Sequence, residues 1–174
     1  MPQSQRMRAT VSALLFAAAA CSGGDSTETM AMEVDPCSLL EASELSSLLG
    51  MDVSEGVSGV PAEALIEGMP ATQCRWSTPD NARTLTLIVR RAATNDDSGD
   101  AIEPVRESFA SGGFSPEPVP GLADDAFFAF NQLHFRSGSD YLTISITGLA
   151  NNDALTAART AAAQSLEQLH GTAR

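Results

Sequence analysis

Tyr141-Leu142-Thr143-Ile144-Ser145-Ile146 alternates without a break, with Leu142, Ile144 and Ile146 on one side of an extended chain and Tyr141, Thr143 and Ser145 on the other. One face is apolar and the other hydroxyl-rich, as in a strand of an antiparallel sheet with one covered and one wetter side. Residues 83–90 repeat the pattern: Leu85, Leu87 and Val89 alternate with Thr84, Thr86, Ile88 and Arg90. Before them, residues 73–78 place Cys74 and Trp76 on one face, and Pro79-Asp80-Asn81-Ala82 is a turn signal, so these two runs predict a hairpin. Residues 125–131 and 133–137 supply two more strands, and Gly138-Ser139 suits a tight turn into the strand at 141–147.

Helical spacing fills the intervals. Asp35-Pro36 offers an N-cap acceptor followed by proline at the first helical position, and Leu39, Leu40, Leu45, Leu48 and Leu49 then lead to Gly50 as a stop. A break near Glu41-Ala42-Ser43 is expected, with Ser43 capping the second segment. A short helix is expected at 62–67 and a polar loop at 94–99, followed by a helix over 100–111 carrying Ile102, Val105 and Phe109, with Pro104 in its first turn. Residues 152–169 form the longest helix, its buried stripe being Leu155, Ala158, Ala162, Leu166 and Leu169. The order predicts an α+β domain over residues 35–171: an antiparallel sheet of about five strands with helices packed mainly on one face.

The N-terminus sets the compartment. Residues 1–8 are polar and carry only positive charge, residues 9–20 are small and apolar, and Cys21 follows, which is the layout of an export signal over residues 1–20. A twelve-residue helix spans about 18 Å, short of the roughly 30 Å hydrocarbon layer. The arrangement resembles the lipobox of bacterial lipoproteins, which implies a diacylglyceryl group on Cys21 and cleavage before it. Ala18 stands where leucine is preferred in that motif, and Ala18-x-Ala20 also suits an ordinary signal peptidase, which would release a soluble protein. Three cysteines would remain after export, so acylation of Cys21 leaves an even pair, Cys37 and Cys74, expected to form one disulfide. Residues 22–34, rich in Gly, Ser and Thr, read as a tether with a reach of about 20 Å.

Asp35-Pro36-Cys37-Ser38-Leu39-Leu40, Leu48-Leu49-Gly50, Cys74-Arg75-Trp76 and Pro120-Gly121-Leu122-Ala123-Asp124-Asp125-Ala126 together resemble the uncharacterised exported lipoproteins common in actinobacteria. Ala123 departs from the glycine usual in their last motif. The resemblance implies a tethered envelope domain with a disulfide and transfers no catalytic residue.

The chain carries 22 acidic residues against ten arginines and no lysine, for a net charge of -12. Such a surface repels phosphate backbones, so nucleic acid is not an expected partner. The expected partners are the membrane, through lipid on Cys21, and an envelope protein or small apolar ligand; the lipid would hold the protein to the cell membrane, or to the outer membrane of a two-membrane bacterium.

Catalytic patterns are sparse. Ser137 or Ser139 with His134 and Asp140 lacks a nucleophile elbow, and neighbours along one strand do not converge. Asn95-Asp96-Asp97-Ser98-Gly99-Asp100 lacks the glycine position and glutamate of a calcium loop. No metal or cofactor is expected, because oxidised or acylated cysteines leave no zinc ligand set. The candidate binding surface is Phe127, His134, Tyr141 and Thr143 on the hydroxyl-bearing face. The alternative is a hydrolase-like envelope enzyme built around Asp124, Asp125 and His134.

Overall fold

The structure is a computed structural model that describes residues 34–61 and 69–171. The leader, Cys21, nearly all of the tether and the expected helix at 62–67 lie outside those residues.

Among the described residues, seven antiparallel strands form one sheet in the order β1-β2-β3-β7-β6-β5-β4. They are β1 (Val57–Gly59), β2 (Ala71–Ser77), β3 (Thr84–Arg91), β4 (Glu117–Pro118), β5 (Asp125–Ala129), β6 (Gln132–Ser137) and β7 (Asp140–Thr147). The five strands expected from alternation are present, and the expected count falls short by the two edges. These are three and two residues long, too short to carry a period, and β4 ends in proline, which an edge strand tolerates. Strands β3 and β7 pair over their full lengths at the centre, with Leu85 opposite Ile146 and Leu87 opposite Ile144.

The apolar faces of β2, β3, β5, β6 and β7 bury Trp76, Leu87, Ile144, Leu133, Phe135 and Phe128 beneath helices α1 (Ala42–Leu49) and α3 (Asn151–Gly171). Helix α3 lies close because its inner side is made of Ala154, Ala157, Ala158, Ala161 and Ala162, which let its backbone approach the strands. Leu155 is only half-buried, so the stripe is centred on the alanines rather than on the expected residue. The first helical segment is broken as expected: a 3-10 turn, Pro36–Ser38, capped by the Asp35 carboxylate, precedes α1. The N-cap of α1 is Glu41, without a side-chain cap, and not Ser43, which lies inside the helix. Gly50, at φ 68°, stops α1 in the left-handed conformation glycine adopts without strain. The disulfide Cys37–Cys74 joins the 3-10 turn to β2, with Cα atoms 5.1 Å apart.

Helix α2 (Asn95–Ser111) lies on the opposite face, so the sheet is covered from both sides. The expected polar loop at 94–99 is instead the start of this helix. Thr94 and Asp97 form a reciprocal capping box, which outweighs the low propensity of Gly99. Pro104 therefore stands in the helix interior rather than in the first turn. Ile102, Ala101, Val105 and Phe109 pack onto Phe127, Ala129 and Tyr141 as a second, smaller core. Among the described residues, no helix is long and apolar enough to cross a membrane.

Candidate functional site

The strand register sets the α2 face in rows. One row runs Phe127, His134, Thr143, Ile88 and Gln73 across β5, β6, β7, β3 and β2; the next runs Asp125, Arg136, Tyr141, Arg90 and Ala71. The four residues of the candidate binding surface thus come together, but as an interior and not as an exposed face. Helix α2 and its neighbours bury all four, leaving His134 only 5% exposed.

His134 is the centre of this cluster. Its ring stacks on Phe127, with centroids 4.7 Å apart, and meets the edge of Phe109 at 5.3 Å. Its Nδ1 lies 2.8 Å from the Tyr141 hydroxyl and 3.3 Å from Thr143 Oγ1. Burial, reinforced by repulsion from Arg90, lowers the His134 pKa to about 3, so the imidazole is neutral near pH 7. Nδ1 shares these two hydroxyls, while Nε2 is sealed without a hydrogen-bond partner among the described residues. Burial raises the Tyr141 hydroxyl to about 12, so it stays protonated and able to donate.

Arg90 was placed on this face by alternation but not singled out. Its guanidinium carbon lies 5.9 Å from the Tyr141 ring centre, and the residue is 4% exposed. Burial lowers its pKa, and its Nε has no hydrogen-bond partner. No carboxylate forms an ion pair with Arg90 among the described residues. The neighbouring arginines differ: Arg91 is bound by both oxygens of Asp140, and Arg106 reaches Asp125 at 2.8 Å while lying over the Phe127 ring.

The residues of the hydrolase-like alternative have separate partners. The Asp124 carboxylate accepts from the Gly138 backbone N–H at 2.8 Å, Asp125 holds Arg106, and His134 faces Tyr141. Ser137 Oγ lies 3.1 Å from Nε2 of His170, and Asp140 is occupied by Arg91, so these strand neighbours do not converge on His134. Residues 95–100 are helical, and no cluster of metal-ligating side chains occurs among the described residues.

Two further features escaped the sequence. A cavity of about 280 Å³ opens on the other side of the sheet between α3 and the start of α1, lined by Glu41, Glu44, Gln164 and Glu167. At the β5–β6 turn, Phe130 and Asn131 have φ of 48° and 59°; Phe130 is 64% exposed and meets Phe114 at 4.8 Å. A phenylalanine in the left-handed region leaves no pattern that distinguishes it from an ordinary strand residue.

No family model matches the sequence, and none of the curated proteins matches it. Among solved structures, the fold is similar to that of the extracellular domain of PknH from Mycobacterium tuberculosis, with a TM-score of 0.54 and 9% identity over 75% of this chain and 94% of that one. That likeness is one of fold.

Proposed function

We propose that this chain is an exported, lipid-anchored cell-envelope protein whose domain binds a partner protein or small ligand and is not an enzyme. The observation that carries the reading is the Cys37–Cys74 bond. It consumes two of the three cysteines and leaves Cys21, directly behind an apolar run, as the odd thiol that acylation would explain. Two or more acyl chains hold a protein stably where one does so marginally, and a diacylglyceryl thioether meets that need. The extracellular setting of the PknH domain with the similar fold supports export. Binding rather than hydrolysis is supported by the engagement of Asp124 and Asp125 with Gly138 and Arg106, and by a His134 whose basicity burial has removed.

The test is the intact mass of the protein recovered from the membrane fraction. The expected species lacks residues 1–20, carries acyl groups on Cys21 and is lighter by the two hydrogens lost in the disulfide. A protein found in the aqueous fraction with an unmodified leading thiol, or with its first twenty residues intact, would refute the reading.

A further inference from the structure

A buried guanidinium without a counter-charge is costly, because removing an ion from water carries a penalty that structural relaxation and water penetration only partly relieve. Arg90 is in that position: 4% exposed, no ion pair among the described residues, and Nε sealed with no partner. The rest of its fork makes no hydrogen bond among the described residues, yet its terminal nitrogens are not sealed, so the charged end meets what little solvent reaches the residue. Carboxylates elsewhere in this acidic chain find arginines readily, Asp140 pairing with Arg91 one residue away. Beside the Tyr141 hydroxyl and the neutral His134, the neighbourhood is apolar, with Met69, Ala92 and Ile102 in the same small core as Tyr141.

We propose that Arg90 is the receptor for the carboxylate of an apolar organic acid, the anion supplying the counter-charge that the fold withholds. The inference rests on reading the domain as a ligand-binding one and names the class of ligand. A single cation balances a single negative charge, and a net charge of -12 opposes a dianion more strongly than a monoanion. The apolar surroundings favour a weakly hydrated carboxylate on a hydrocarbon body over inorganic phosphate. A guanidinium fork matches the two oxygens of a carboxylate.

The probes are sodium octanoate, 1-octanol and inorganic phosphate, titrated into the full chain by calorimetry, with Arg90→Met beside the wild type. Octanoate is expected to bind at one site, 1-octanol and phosphate at least about tenfold more weakly, and Arg90→Met to weaken octanoate by about 30-fold or more. Without ligand, Arg90→Met is expected to melt no lower than wild type, because it removes an uncompensated charge. A readout on the unmutated protein is the Arg90 Nε–H resonance, which is expected to shift as octanoate is added. Equal binding by wild type and Arg90→Met, no binding by wild type, an unmoved Nε–H resonance, or a lower melting point of Arg90→Met restored by Arg90→Lys would each overturn the assignment. Failure to bind octanoate in a protein whose mass shows the acyl groups and the disulfide sinks the receptor and leaves the anchored domain standing.

Discussion

Reducing the Cys37–Cys74 bond should cost this domain a large part of an ordinary stability margin. The cystine closes a loop over a sequence separation of 37 residues. The chain-entropy relation gives about 13 cal/mol/K for that length, or about 4 kcal/mol at 25 °C, against a total of about 5–15 kcal/mol for a typical domain. For a domain of roughly 140 residues, the unfolding entropy converts 4 kcal/mol into a fall in melting temperature of about 13 °C. The assay is thermal unfolding followed by far-UV circular dichroism, with and without a phosphine reductant. Reduction is preferable to substitution because Cys74 is fully buried, and Cys74→Ala would add a packing defect to the lost cross-link. A urea series supplies a second readout: the reduced chain unfolds to a more expanded ensemble, so its m value should rise as its midpoint falls. If oxidised and reduced protein melt within about 3 °C of one another, the cross-link does not restrict the unfolded chain as argued.

The pH dependence of stability should carry the signature of His134. Its folded-state pKa of about 3 lies below an unfolded value near 6.5, so within that window the unfolded chain binds a proton that the folded one refuses. Stability is therefore full above about pH 6.5 and lost as pH falls towards 3, at up to about 1.4 kcal/mol per pH unit. His134→Phe should flatten that slope in urea titrations between about pH 7 and pH 4, and parallel profiles for the two proteins would contradict a buried neutral imidazole. Thr94→Ala removes the cap that starts α2 and should cost about 1 kcal/mol, with amides 95–99 losing hydrogen-exchange protection first. Unchanged exchange there would restore the loop expected from the sequence.

The central architecture was legible because Leu85, Leu87 and Val89 of β3 and Leu142, Ile144 and Ile146 of β7 recur at every second position and α3 keeps a helical period over twenty-one residues. Edge strands β1 and β4 were not, since they are defined by their neighbours' free hydrogen-bonding groups and not by any pattern of their own. The start of α2 was hidden because Thr94-Asn95-Asp96-Asp97-Ser98-Gly99 has the composition of a loop, while the deciding feature is one pair of side chains three residues apart. Alternation put Phe127, His134, Thr143 and Tyr141 on a common face, but the placement of α2 over it depends on a few contacts from Ile102 and Phe109. The isolation of Arg90 was beyond reach for a related reason: a missing partner is a property of the assembled interior, and no spacing announces it.

The position of β7 has a consequence for how the molecule comes into being. The middle strand of the sheet and the longer of the two helices over its main core are the last two of the described elements. Until β7 is made β3 lacks its central neighbour, and until α3 is made Leu85, Leu87 and Val89 have only the α1 side of their cover. Closure of the sheet therefore waits on β7 and α3, the latest of the described elements. Such a chain is suited to being threaded through a narrow channel first and folded afterwards.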